Sequence, residues 1–203
     1  MMLRTDLHPN APNGDVNDPA KLKTNDRVKM ATEVSERALA HEADTEFLVR
    51  KSMNTGYQVL SLLTPPAYTA FVIARRGRSA WSLNRTLRAT WVGGLTGSAA
   101  FGGGAYLRYA NTSYETTKEK RIASAYDTNR IRREDHSTIG AILMAVITPA
   151  LFWNRASSIN LILGGAGLGS TAGVITHYFR NLSGDVPPKV EPPPVGHDNE
   201  HNL

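Results

Sequence analysis

INLILGGAGLGSTAGVITHYF, residues 159–179, decides how the chain folds. The stretch has no charged side chain and no proline, and its glycines fall at 164, 165, 167, 169 and 173. Gly165, Gly169 and Gly173 stand four apart, so on a helix they line one face. In water such a face is poor helix chemistry, because each glycine costs about 1 kcal/mol relative to alanine. Inside a bilayer the same bare strip lets two helix backbones approach closely. The competing reading is a phosphate loop, with residues 160–170 running as strand, GGAGLGS turn and helix. Its spacing does not fit. From Gly165 the pattern is GxGxG with Ser170 sixth, and the chain then enters a proline-rich tail with no room for a second strand and its acidic residue.

Three further windows share this chemistry. Residues 53–74, 89–107 and 137–154 carry no ionisable acid or base, and 156–179 carries only His177 near its end. All four match the ~20 residues of helix that a hydrocarbon core takes. Each is bounded by arginine on at least one side, and aromatics gather near the ends: Tyr57, Trp91, Tyr106, Tyr109, Phe152, Trp153, Tyr178 and Phe179. That distribution suits an interfacial belt. The second window repeats the ladder with Gly93 and Gly97, then Gly102, Gly103 and Gly104, where a kink is expected. The first carries Pro65 and Pro66 at its centre, which removes helical hydrogen bonds, so a break or re-entrant turn is the alternative to a full span there. Arg155 and its polar neighbours alone separate the last two windows, which demands an antiparallel pair.

The remainder is polar. Residues 1–28, with prolines at 9, 12 and 19, read as disordered. They show neither a secretory apolar core nor an arginine-rich presequence. Residues 29–52 read as an exposed polar helix. Residues 115–130 suit a helix continuing from the second window, ended by RIRRED at 130–135, and 181–203 read as a proline-rich tail that does not pack. The expected fold is therefore all-α: a multi-pass membrane protein with four glycine-rich transmembrane helices over residues 53–180, a polar N-terminal helix and disordered tails.

Composition narrows function by exclusion. The 203 residues suit one domain, with a net charge of +5. The basic residues sit in short segments beside apolar runs, which reads as membrane flank rather than a nucleic-acid face. Without cysteine there is no disulfide, thiolate metal site or cysteine nucleophile. His197 and His201 lie in the proline-bounded tail. No paired carboxylates and no activated nucleophile stand out, so the chain reads as no enzyme, with no cofactor and no metal. The candidate residues are instead the helix-packing glycines Gly93, Gly97, Gly165, Gly169 and Gly173, and a membrane-flanking charge cluster of Arg130, Arg132, Arg133 and Asp135. The expected partners are membrane lipid and other membrane-protein subunits, with no nucleic acid.

Over roughly residues 53–180 the chain resembles the mitochondrial inner-membrane translocase family, the preprotein and amino-acid transporter group. The resemblance rests on four uncharged spans, glycines concentrated in the second and fourth, and RIRRED followed by Gly140 where the family carries an arginine, aspartate and glycine motif. Here Arg132 stands three before Asp135, and Gly140-Ala141 takes the place of a double glycine. With these departures the chain looks more like the branch that resembles respiratory complex I accessory subunits and assembly factors, which form no channel. That resemblance implies a structural, accessory or assembly subunit in the mitochondrial inner membrane. A translocase component and a cristae-organising scaffold are the alternatives.

Overall fold

The computed structural model of the chain describes residues 19–193, with side chains from residue 23 onwards. These residues form five α-helices and no strand: α1 (Pro19–Arg76), α2 (Leu83–Ala110), α3 (Tyr114–Ala125), α4 (Thr128–Phe152) and α5 (Ser158–Leu182). The fold is all-α. The chain divides into two compact units, Met1–Ala40 and His41–Leu203. In the first, helix runs from Pro19, inside the stretch expected to be irregular. Proline suits a first helical position, where its missing N–H would have no partner anyway. The expected disorder of residues 1–18 lies outside the described residues.

The second unit is built from close backbone contacts between helices. A Cβ placed on Gly97 of α2 would run into the carbonyl oxygen of Gly56 on α1, and one on Gly56 into that of Gly97. Gly93 abuts Thr64 and Gly102 abuts Met53 along the same seam. The α4–α5 seam is built likewise: Gly140 and Gly169 each press on the other's carbonyl, Gly173 on that of His136, and Gly165 on that of Met144. The remaining glycines of α5 face elsewhere, Gly164 against Leu87 and Gly167 against Thr90 of α2. The ladder thus serves two neighbours, both within the chain.

Helix α1 continues through Pro65 and Pro66. The two prolines deprive the carbonyls four residues earlier of their donors. The preceding stretch is held from Met53 to Thr64 by the glycine seam of α2, and neighbouring helices routinely stabilise such interruptions. α1 stops at Gly77, whose φ of 77° favours glycine and whose N–H still reaches the Ile73 carbonyl at 3.0 Å. α2 runs unbroken through Gly102–Gly104; Gly103 and Gly104 have nothing within 4 Å of an added Cβ.

The charges at 130–135, expected to end a helix, lie in the first turns of α4. The break falls earlier, because Asp127 accepts the Arg130 backbone N–H at 3.0 Å and so caps a new helix. The tail also departs from expectation. Pro187 is buried and the Pro188 carbonyl accepts from the Thr128 hydroxyl at 2.6 Å.

Among the described residues, α4 and α5 are the helices long and apolar enough to cross a membrane, each with a mean hydropathy of 1.4. The windows at 53–74 and 89–107 do not reach that hydropathy, so two such helices stand where four were expected. Glycine, serine, threonine, proline and tyrosine occupy positions that aliphatic side chains fill in α4 and α5.

Alanine at 169 and at 103 separates packing from propensity. Gly169→Ala forces apart two backbones and lowers thermal stability, an overpacking cost of about 1–3 kcal/mol. Gly103→Ala meets open space and gains about 1 kcal/mol of helix propensity. Thermal unfolding of the two variants in the same detergent checks the opposite signs; equal shifts would contradict the seam.

Candidate functional site

Polarity in the second unit is distributed inside out. Ser61, Thr90, Gln58, Ser137, Thr148, Ser170, Thr171 and His177 are buried, together with the seam glycines Gly97, Gly102, Gly165, Gly169 and Gly173. Buried aliphatic side chains among the described residues are few: Leu48, Val72, Leu87, Ala105 and Leu161. The large apolar residues point outwards. On α4, Ile139, Ile142, Leu143, Val146, Ile147 and Leu151 are 43–70% exposed, and its apolar window is only 11% buried. Val59, Leu62, Leu63 and Phe71 on α1, and Val92, Leu95, Phe101 and Leu107 on α2, are exposed as well.

Three of the buried polar groups, Gln58, Ser137 and Ser170, bind one another across helices. Gln58 Nε2 of α1 donates to Ser137 Oγ of α4 at 3.0 Å, and Ser137 shares a 2.6 Å hydrogen bond with Ser170 of α5. At the end carrying the α1–α2 and α4–α5 turns, the Trp91 indole donates to Asn160 Oδ1 at 3.0 Å. Asn84 Oδ1 accepts from Asn160 at 2.8 Å and from the Ser157 backbone N–H at 3.2 Å. Gln58, Ser137, Ser170 and the partner glycines Gly56 and Gly140 were not singled out as packing residues by the sequence analysis. The available signal was isolated small or polar residues inside uncharged windows.

The charge cluster occupies the opposite end. Arg130 pairs with Glu134 at 3.2 Å and donates to the Lys51 carbonyl at 3.2 Å and the Thr55 hydroxyl at 3.1 Å, fastening α4 to α1. Arg132 reaches out to the tail, gripping Asp185 through both carboxylate oxygens at 3.0 and 2.6 Å, while Arg180 holds the same carboxylate at 2.9 Å. Arg133 has a buried Nε without a hydrogen-bond partner. It lines a cavity of about 390 Å³ with Arg130, Asp127, Asn129 and His177. Asp135 is exposed and is not drawn into this set. The cluster therefore splits into one clamp on α1, one on the tail and one arginine facing a polar recess.

Two further charges act at this end. The Asp44 carboxylate, buried on α1, pairs with Arg121 of α3. The Lys51 ammonium donates to the Ser124 carbonyl at 2.7 Å, and burial holds its pKa below the ordinary lysine value. Hydrogen bonding from Arg132 first, and then from Arg180, pulls the Asp185 carboxyl below the usual carboxylate range. No cluster of three or more metal-ligating side chains occurs among the described residues.

The chain finds no match among family models, curated proteins or solved structures.

Arg132→Ala removes the bidentate clamp on the tail and speeds tryptic cleavage after Lys189. The clamp also fixes a pH dependence. A carboxyl with a lowered folded-state pKa contributes stability above its unfolded value, about 3.9, and loses it as pH falls through the folded value. Protection of the Ser183, Gly184 and Asp185 amides, relative to their intrinsic exchange rates, therefore persists at pH 5 and is lost only below the ordinary carboxylate range. Unchanged exchange in Arg132→Ala would contradict this docking.

Proposed function

We propose that residues 53–180 form a four-helix bundle embedded in a membrane, and that the protein serves there as a structural, accessory or assembly subunit rather than as an enzyme. The observation that carries this reading is the inside-out polarity. Small and polar groups hold the centre of the second unit, and aliphatic side chains line its outside. In water, an outward row such as Ile139, Ile142, Leu143, Val146, Ile147 and Leu151 would be an apolar patch larger than monomeric soluble proteins present. In lipid it is the natural exterior, and association of the helices rests on close packing and interhelical hydrogen bonds.

The same logic extends the reading to α1 and α2. Mean hydropathy averages both faces of a helix. In α2 the low values belong largely to Gly93, Gly94, Gly97 and Gly102, which meet α1 and not lipid. Its outward Val92, Leu95, Phe101 and Leu107 are apolar. The proposed organelle and complex, a respiratory-type assembly of the mitochondrial inner membrane, rest on the resemblance of residues 53–180 to the translocase family.

Transport is the weaker alternative. The interior polar side chains Gln58, Ser137 and Ser170 are tied to one another, and the glycine seams bring backbones into contact on either side. A packing subunit uses such an interior as it stands, whereas a conducting path would require it to open.

Alkaline extraction of membranes from cells expressing the tagged chain tests the placement. The wild-type protein stays with the membrane pellet. Val146→Arg, at the middle of the outward row, lowers the integrated fraction severalfold, as an insertion cost of about 2.5–3.5 kcal/mol implies. Ile131→Arg, in the charged first turns of α4, does not. Recovery of Val146→Arg as a folded, monodisperse soluble protein would contradict the reading. Native gels and affinity isolation after mild solubilisation then show whether other membrane subunits accompany the chain; a monomer devoid of them would remove the subunit role.

A further inference from the structure

Charge is divided between the two ends of the second unit with unusual completeness. No aspartate or glutamate stands between Glu46 and Glu115, or between Asp135 and Asp185. The turn joining α1 to α2 and the turn joining α4 to α5 lie together, linked by the Ser157 N–H to Asn84 hydrogen bond. Their end of the molecule carries Arg75, Arg76, Arg78, Arg85, Arg88 and Arg155 with no acid in either turn. The other end holds Asp44, Asp127, Glu134 and Asp185, and four of its arginines, Arg121, Arg130, Arg132 and Arg180, are paired with acids, while Arg133 faces the polar recess. The arginines of the first end have no acidic partner among the described residues.

Four of these unpaired arginines line two adjoining clefts between α1 and α2, each of about 340 Å³. The first is bounded by Tyr68, Phe71, Val72, Arg75, Arg76 and Arg85. The second is bounded by Tyr68, Arg85, Arg88, Ala89 and Val92. Tyr68 and Arg85 belong to both, so the clefts meet at those two side chains. The lining follows helix periodicity: 68, 71, 72, 75 and 76 share one face of α1, and 85, 88, 89 and 92 share one face of α2.

Along both helices the lining changes from basic to apolar with distance from the turn. Arg75, Arg76, Arg85 and Arg88 lie towards the turn. Phe71, Val72, Ala89 and Val92 lie further along, and the Arg75 guanidinium sits 5.4 Å from the Phe71 ring centroid. This gradient matches a phospholipid, with phosphate at the basic mouth and acyl chain against the apolar wall. Guanidinium forks bind phosphate oxygens in bidentate fashion, and basic pockets between membrane helices take anionic headgroups.

We propose that the paired clefts bind a ligand bearing two phosphate groups, supplied as the headgroup of a diphosphate-bearing phospholipid. Arg75, Arg76 and Arg85 take one phosphate, and Arg85 and Arg88 take the other. Arg85 is the specificity-determining residue, because it alone among the arginines faces both clefts. The proposal deepens the membrane reading above and rests on it.

The test uses the full-length chain in phosphatidylcholine vesicles doped with diphosphatidylglycerol, or with phosphatidylglycerol at twice the mole fraction so that the phosphate count is equal. Flotation reports integration, and native mass spectrometry after gentle detergent release reports retained lipid. Diphosphatidylglycerol is retained stoichiometrically and in preference to phosphatidylglycerol. Arg85→Gln lowers its retention about fivefold or more, the effect of one interfacial arginine. Arg78→Gln, in the same turn but outside both clefts, leaves retention unchanged. Equal retention of the two lipids, or equal effects of the two variants, overturns the proposal in favour of diffuse charge attraction. A pyrophosphate arm in detergent separates the sources: binding as tight as that of the lipid, and equally sensitive to Arg85→Gln, overturns the lipid occupant. Integrated protein without preference for two phosphates refutes this inference alone, whereas failure to float refutes the membrane reading and the lipid occupant with it.

Discussion

Contact between the backbones of glycine-bearing helices is the constraint on which the second unit depends. Gly56 against Gly97, and Gly140 against Gly169, bring carbonyl oxygens to positions that no side-chain carbon can share. Such approach is available only where at least one of the two helices lacks a Cβ at that level. It fixes register as well as distance, because a shift of one residue along either helix would place a side chain in the gap. The hydrogen bonds from Gln58 to Ser137 and from Ser137 to Ser170 then follow, since their short donor–acceptor distances need helices that are already close. The two glycine hairpins, α1 with α2 and α4 with α5, join through Gly164 and Gly167 of α5 packing on Leu87 and Thr90 of α2.

Close packing of small residues leaves little interior for aliphatic side chains, and most of them are displaced outwards. Helices that adhere through glycine have no need of a greasy core, and so they present a greasy exterior. The two ends of this exterior differ in charge. One carries ion pairs and charge-assisted bonds that fasten α3 and the start of α4 to α1, and the tail to α4. The other is a group of arginines with no acidic partner among the described residues. The first arrangement consumes its own charge in structure, while the second leaves its charge available to something outside the chain.

The sequence was informative where chemistry is local. Absence of charge over 137–154 and 156–179, the short connection at Arg155 and the four-residue spacing of Gly165, Gly169 and Gly173 together specify a tight antiparallel pair, and α4 and α5 form one. What the glycines touch was not legible, because spacing defines a face and not its neighbour. The docking of Asp185 on Arg132 was not legible because it depends on a guanidinium fifty-three positions away. The helical start at Pro19 and the cap at Asp127 on the Arg130 N–H are local features that the polar, proline-bearing and charged composition around them masked. The first two windows read as spans on the strength of lacking charge, yet their hydropathy is held down by the inward glycines and hydroxyls that make the bundle close.

The account stands most directly on which way the faces of α4 point when the protein is in lipid. The chain has no cysteine, so single cysteines placed by Ile142→Cys, Val146→Cys, Ser137→Cys and Thr148→Cys carry spin labels without background. In reconstituted vesicles, collision with molecular oxygen and with a water-soluble nickel chelate distinguishes lipid from water at each site. Labels at 142 and 146 should meet oxygen freely and nickel hardly at all, while those at 137 and 148 should be shielded from both. Ready access of the nickel chelate to 142 and 146 would place that apolar face in water and contradict the account.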